Sequence, residues 1–498
     1  MFLARVSPRN AFSVVLLMVS SSALRADEWV ILGPRAMGMG GAGVAVTRGA
    51  HSTYWNPAAL SPPRRPVVDT FWDVEVPLTV SGTATNDLLR NLDEVSDLID
   101  DLNFNDLEDA LDDPLRQLTD RQLQDTLKLL ADGLPALGEQ GTGLISYGAL
   151  GVLGRVGRFG ISGLALAYAG GLSRVNPNGL ALGDEGLGGI LGAGNDRSGA
   201  LSGPGQGLAD SLTADGLAAQ NQAEEFIFQA EQAGLNTADP IVQGSLRHIL
   251  SETQANQGGS IDNFFTRNGS GVDLRGMILQ EYALAYGHPF FDLFSVGLSA
   301  KLLHGSTYFQ PFTLNGLDDF GDLADDAFSS RNRKDSFNFG IDVGLLVQPL
   351  SWLALGLTGR NLNRPSFEFR GPGDYVVEPQ LRAGVGLTPL PGLTLAADAD
   401  CFVNHSEVLL GYDSQVIGGG AEYALFDILF VRAGLSKNVR ESDEDFVIHA
   451  GLGFALGFFQ FDLAAGVTPD TTDIADSGTE VPERAGVSLQ IGFNVPLD

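Results

Sequence analysis

The stretch Phe337-Asn338-Phe339-Gly340-Ile341-Asp342-Val343-Gly344-Leu345-Leu346-Val347 decides the fold. Its odd positions are Phe337, Phe339, Ile341, Val343, Leu345 and Val347, and its even positions begin Asn338, Gly340, Asp342, Gly344. Successive side chains of a strand point to opposite faces, so this segment has one greasy face and one small or polar face. The alternation returns at Leu381–Leu387, Phe446–Phe454 and Ala485–Phe493. It has two physical solutions. One is a soluble sandwich or barrel with greasy faces inside; the other is a membrane barrel with greasy faces outward and a polar lumen.

Connection lengths decide between them. Fourteen candidate strands lie near 67–83, 142–155, 158–172, 277–288, 292–308, 335–348, 351–363, 379–389, 392–404, 414–424, 428–438, 445–456, 459–468 and 484–495. Short links such as Val156-Gly157, Pro349-Leu350 and Gly457-Phe458 alternate with long ones at 84–141, 173–276, 309–334, 364–378, 405–413, 439–444 and 469–483. Short turns at one end and long loops at the other mark an outer-membrane barrel. The expectation is an all-β membrane protein, a fourteen-stranded antiparallel outer-membrane β-barrel occupying 67–495. An even strand number puts both barrel ends on the periplasmic side. Closure follows from energetics, since hydrocarbon offers no partner to an unpaired strand edge. The most apolar stretch, Phe446–Val467, is interrupted by His449, Gln460, Asp462 and four glycines, so it reads as two strands, not a spanning helix.

Composition agrees. Among 498 residues, 30 are Lys or Arg and 61 are Asp or Glu, a formal net charge of −31. That argues against nucleic acid as partner, which needs a basic face. Charged residues are only 18%, and hydrophobic residues 44%, too many for a disordered chain. The lone Cys401 excludes an intramolecular disulfide, a CxxC redox motif and a multi-cysteine zinc site. Residues 1–26 read as a cleaved signal peptide: Arg5 and Arg9, then the apolar Ala11–Val19, then small residues with cleavage after Ala23 or Ala26. No cysteine follows the apolar core, so no lipid anchor is expected.

The polar sides of the strands carry Asp342, Arg360, Arg382, Asp398, Asp400, Glu422, Arg432, His449, Asp462 and Gln490. Facing lipid, Arg near the midplane would cost about 2–4 kcal/mol. Facing the lumen, opposite signs can neutralise one another. The expected role is a structural salt-bridge network, and the alternative is a ligand path.

Residues 33–60, GPRAMGMGGAGVAVTRGAHSTYWNPAAL, precede the first strand. Gly38, Gly40 and Gly43 match GxGxxG literally, but the dinucleotide fingerprint needs a βαβ unit and a later acidic residue. Here Pro62, Pro63, Arg64 and Arg65 follow instead. The segment reads as part of a plug over 27–66 that packs closely inside a narrow lumen, with structural roles for Gly38, Gly40, Gly41, Gly43, Asn56 and Pro57.

The motifs RAMGMGGAGVA and YWNPAAL resemble the N-terminal plug of the FadL-type superfamily of outer-membrane barrels. That group includes long-chain fatty acid transporters, aromatic-hydrocarbon carriers and PorV-type secretion components, and its members have fourteen strands. The second half, with FNFGIDVGLLVQPLSWLALGLTGRNLNRP, PQLRAGVGLTP, LAADAD and ERAGVSLQIGFNV, is more similar to a branch named after conjugal-transfer TraF. The resemblance spans 33–83 and roughly 277–495. It implies outer-membrane lipid as surroundings, a fatty-acid-like hydrophobic ligand or a secretion or conjugation partner, and no cofactor. The insertions 84–141 and 173–276 depart from the fatty acid transporters, so no ligand pocket carries over.

In the first insertion Leu88, Leu92, Val95, Ile99 and Leu102, then Leu107, Leu111, Leu115 and Leu118, recur at helical spacing, with a break at Pro114. Residues 173–225 read as irregular and mobile, and 222–256 as helical with a break near Pro240. Both insertions are expected outside the cell. The acidic charge would oppose anionic lipopolysaccharide unless divalent cations intervene, but no EF-hand or other metal spacing occurs.

No GxSxG or HExxH motif occurs. The pair His405-Ser406 with Asp398 and Asp400 could form a triad only if folding brought them together. No enzyme is expected. The leading function is a transporter or channel for hydrophobic small molecules with a plugged lumen. The alternative is a non-transporting scaffold or partner-docking barrel of a secretion or conjugation system. A continuous apolar pocket beside the plug would favour the first; a lumen filled by paired charges would favour the second.

Overall fold

A computed structural model describes residues 27–63, 71–91, 120–174, 199–255, 271–313, 329–441, 444–473 and 480–496. Fourteen antiparallel strands close into one barrel. They are β1 (Phe71–Thr85), β2 (Gly143–Val156), β3 (Phe159–Arg174), β4 (Gly271–Phe290), β5 (Phe294–Thr313), β6 (Arg333–Leu350) and β7 (Leu353–Arg360). The second half comprises β8 (Gln380–Leu390), β9 (Leu393–Asp400), β10 (Val416–Leu425), β11 (Leu429–Asn438), β12 (Val447–Leu456), β13 (Phe459–Val467) and β14 (Arg484–Pro496). Each strand pairs with its sequence neighbours, and β1 closes on β14 with Leu78 opposite Leu489. No strand edge of the barrel is left open, as a hydrocarbon surround demands.

All fourteen expected segments form strands, with shifted ends. β4 and β5 run longer than expected and reach the outer loops. β7 stops at Arg360, short of 363, because Asn361 and Arg364 take positive φ (52° and 55°) and turn the chain off the ladder. β9 stops at Asp400, and Asn404-His405 pairs instead with Asp413-Ser414 in a separate ribbon. No described helix is long and apolar enough to cross a membrane.

Alternation sets the two faces. Leu150, Val152, Ile161, Leu298, Phe339, Leu452 and Val487 face outward and are exposed, while Ser299, Asp342, Arg382 and Asp462 face inward and are buried. The outward apolar belt runs down to the short turns, and the opposite end carries all the long loops. On the outer-membrane pattern that end faces outside the cell.

The insertions contribute one helical cluster. Asp120–Lys128 from the first, and Gly203–Ala214, Gln220–Gln232 and Pro240–Ala255 from the second, share a core of Leu123, Leu127, Leu212, Phe226, Ile227 and Leu246. The expectation of irregular chain over 173–225 is therefore corrected from Gly203 onward. Ser202 accepts a hydrogen bond from the backbone N–H of Gly205 at 3.0 Å, with proline at the helix start. Leu208 and Leu212 then bury against the next helix, which outweighs the glycines. Pro240 opens a helix after a linker, consistent with a break there. The leucine repeat from Leu92 to Leu118, with the break at Pro114, lies outside the described residues, as does 1–26.

Residues 27–63 run inside the barrel. Short helices at Pro34–Gly38 and Ser52–Trp55 touch β12, β13 and β14 on one side and β3 and β4 on the other.

Replacing the lipid-facing Leu452 by Arg is expected to destabilise the barrel by about 2–4 kcal/mol in phospholipid vesicles, with Leu452→Ile near neutral. Denaturant-dependent folding monitored by heat-modifiable gel migration measures this.

Candidate functional site

The inward face divides into a charged wall and an apolar wall. On the charged wall every buried cation sits among carboxylates. The Lys301 ammonium donates to Glu281 at 3.0 Å and to Asn361 at 2.6 Å, and lies 2.8 Å from Asp342. Arg360 donates to Glu281 at 3.1 Å and lies 3.7 Å from Asp342. Arg382 donates to Asp400 at 2.9 Å and lies 3.7 Å from Asp398. Arg432 donates to Glu422 at 2.7 Å and to Asp462 at 2.6 Å. Charges this deep persist only when paired, because removing one partner strands the other without water.

Each cluster also grips the inner segment. The Arg360 guanidinium stacks 3.9 Å from the Tyr54 ring centroid. Arg382 donates to the Gly41 carbonyl at 3.2 Å. Asp398 accepts the N–H groups of Gly43 and Val44 at 2.7 and 2.8 Å. Glu422 accepts two hydrogen bonds from Arg35 at 2.9 and 2.8 Å. The wall therefore carries half of each interaction and the segment the other half. His449 stands apart: its ring hydrogen-bonds Ser436 at 2.8 Å and joins no carboxylate among the described residues.

Close approach depends on small residues from both sides. Gly40 (φ +69°) lies against the backbone of β10 and β11, where a Cβ would overlap the Leu435 carbonyl, and Gly434 and Gly418 face it. A Cβ at Gly43 would enter the Trp55 ring. Gly38 lies against Gly451 and Arg432, and Gly41 against Ile31. Asn56 accepts from the N–H of Ala58 at 3.0 Å and donates to the carbonyls of Val44 and Leu345 at 3.0 and 3.1 Å. It thereby ties the segment to β6, while Pro57 passes over Gly297.

The apolar wall is made by β2 to β5 apart from Arg275, Glu281 and Lys301. Ile145, Tyr147, Leu164, Leu166, Met277 and Leu303 point inward and are buried against Trp29, Leu32, Val44, Tyr54 and Trp55. The Trp29 and Trp55 rings stack at 6.0 Å. Their polar atoms are partly served by the segment itself, with Trp55 donating to the Leu32 carbonyl and Tyr54 to that of Val30. Phe367, Tyr375, Val408, Leu409 and Tyr412 from two outer loops roof this body. A cavity of about 520 Å³ remains, on the short-turn side of the segment, walled by Arg35, His51, Glu75, Glu422, Arg432 and Asp462.

The paper triad does not assemble. His405 bonds Asp413 at 2.5 Å, Ser406 donates to Asp27, and Asp398 and Asp400 are held by Arg382. Among the described residues no group of three His, Cys, Asp or Glu is placed to hold a metal. Glu281, Lys301, Arg35 and Asp27 also belong to these contacts and are not among the residues expected from alternation. The parity of β4 and β5 could have found the first two. Asp27 is half-buried at the outer mouth, and desolvation there pushes its carboxyl above the usual range against hydrogen bonds from Tyr375, Glu407 and Ser406.

The arrangement defines a class: a fourteen-stranded barrel of outer-membrane type with its N-terminal segment in the lumen, the fold that a FadL-type resemblance implies. Residues 196–400 match the family described as F plasmid transfer operon, TraF, protein. That match takes in the helices of the second insertion. The fold is similar to the deltaS2S3 mutant of the monoaromatic hydrocarbon channel TodX (10% identity, 93% of this chain and 98% of that one, TM-score 0.44). It is also similar to the Ralstonia pickettii toluene transporter TbuX (12%, 94% and 98%, TM-score 0.41) and to a Pseudomonas aeruginosa FadL homologue (10%, 96% and 100%, TM-score 0.41). No curated protein sequence matches the chain.

Arg432→Met leaves Asp462 buried without its cation and is expected to cost about 3–5 kcal/mol of stability. Gly40→Val is expected to leave the barrel heat-modifiable while exposing the segment to trypsin at Arg35 and Arg48. Denaturant titration and limited proteolysis test the two.

Proposed function

We propose that the protein resides in the bacterial outer membrane after removal of residues 1–26 and serves as a gated passage for hydrophobic small molecules. Residues 27–66 act as the plug, with Gly38, Gly40, Gly41, Gly43, Asn56 and Pro57 fitting it to the wall. The network of Asp342, Arg360, Arg382, Asp398, Asp400, Glu422 and Arg432 holds it in place. The open cavity is lined by charges and is not the continuous apolar pocket expected of a passage, so one observation carries the reading: part of the inner wall from β2 to β5 is greasy. A water-filled pore gains nothing from inward Leu164, Leu166, Met277 and Leu303. In the closed state these residues are covered by Trp29, Tyr54 and Trp55. Withdrawing those rings would leave an apolar chamber under the outer loops, suited to fatty-acid-like cargo.

A second reading, a scaffold for a secretion or conjugation partner, is favoured by the paired charges that fill the other side. The helical cluster built from both insertions adds to it.

Proteoliposomes separate the two. The intact protein is expected to take up a labelled fatty acid with saturation, whereas a variant lacking 33–60 also leaks a small polar dye. Intact protein that passes no fatty acid would remove the transport reading and leave the scaffold.

A further inference from the structure

The outer loop 401–415 lies on the lumen with Val408 and Leu409 fully buried, and its ribbon Asn404-His405/Asp413-Ser414 makes it a stiff hairpin. Its roots are fixed by Asp400, which accepts from Asn404 at 3.2 Å and from the Val416 N–H at 2.9 Å. Its middle is fixed differently. The Glu407 N–H donates to Asp27 at 2.8 Å, and the Glu407 carbonyl accepts from the Arg275 Nε at 2.9 Å. Asp27 belongs to the inner segment and Arg275 to the wall strand β4. One backbone residue of the loop therefore sits between an anion on the segment and a cation on the barrel.

Neither charge is in a salt bridge. Among the described residues no oppositely charged side chain lies within salt-bridge distance of Asp27 or Arg275; the nearby Asp273 pairs with Arg174. Arg275 is 6% exposed and stacks 4.6 Å from the Phe369 ring. Asp27 takes further hydrogen bonds from Ser406 at 3.0 Å and from the Tyr375 hydroxyl, and its carbonyl accepts from Gln380 at 2.6 Å. Lifting the loop would strip Arg275 of the Glu407 carbonyl and Asp27 of its bonds from Glu407 and Ser406, leaving the Asp27 carboxylate to Tyr375. Withdrawing the segment would take Asp27 from under the loop. Charge-assisted hydrogen bonds of this kind are the strong ones, and their loss on one side is felt on the other.

We infer that loop 401–415 is a lid clamped shut through the backbone of Glu407 by Asp27 and Arg275, so that lid and inner segment open together. The purpose of the lid rests on the passage proposed above; the clamp itself does not. A molecule arriving from outside would have to raise Val408 and Leu409 off the apolar wall. That movement would remove the Glu407 and Ser406 bonds from Asp27 and so loosen the segment carrying Trp29.

Hydrogen exchange on the full chain in detergent tests the clamp, with labelled fatty acid uptake measured on the same preparations. In Asp27→Ala, amides of 404–414 and of 28–32 should both exchange at least tenfold faster while β10 to β14 keep their protection. Arg275→Gln should do the same, and Gly40→Val, which loosens the segment far from the lid, should also speed exchange in 404–414. Retained heat-modifiable migration shows that each variant is folded. Unchanged protection of 404–414 in folded Asp27→Ala and Arg275→Gln, or loosening of the lid without 28–32, overturns the clamp. Joint loosening with no uptake by any form keeps the clamp and removes the passage; uptake with an unmoved lid does the reverse.

Discussion

Hydrocarbon offers a peptide group nothing to bond to, and the rest of this structure follows from that. A chain that crosses a bilayer as strands must pair every N–H and C=O within itself, so the sheet has to close. Closure joins β1 to β14 and brings the first and last strands together at the short-turn end. It also creates an interior, and fourteen strands make one too wide to be filled by wall side chains alone. The chain fills it with its own first residues.

The filling is held by two kinds of interaction on opposite sides. From β6 to β14, joined by Glu281 of β4 and Lys301 of β5, the wall offers ions and the segment offers backbone dipoles, one tyrosine ring and Arg35. Such contacts are directional and can break one at a time. At Ile145, Tyr147, Leu164, Leu166, Met277 and Leu303 of β2 to β5 the contact is apolar and aromatic, which is non-directional and tolerates sliding. The proposed passage would require the segment to break those discrete polar bonds on one side and slide over the greasy surface on the other. Wall glycines such as Gly297, Gly420 and Gly434 let it sit flush, so its position is set by backbone shape as much as by charge.

Much of this was legible in the residues. Strict alternation from Phe337 onward located the strands, and loop length oriented them. Parity placed Asp342, Arg382, Glu422 and Arg432 on the inner face. The signal failed where the inner wall is itself greasy. In β4, Met277 and Leu279 point inward while Tyr282 and Leu284 point outward, so hydrophobicity no longer distinguishes the faces. Glu281 and Lys301 were lost in that blur. The helix at Gly203–Ala214 was hidden by its glycines, because a cap and a tertiary neighbour, not propensity, make it helical. The contacts of Asp27 with Tyr375 and Glu407 join residues about 350 and 380 positions apart, which no local pattern can reveal.

The central claim is which way the alternating residues face, and depth-dependent quenching measures it most directly. In a Cys401→Ser background, single cysteines at Phe339, Ile341 and Val343, then at Asn338, Gly340 and Gly344, would carry a fluorophore in vesicles of bromine-labelled lipid. The account predicts strong quenching at the three odd positions and little at the three even ones. Equal quenching in both sets, or the reverse pattern, would contradict it.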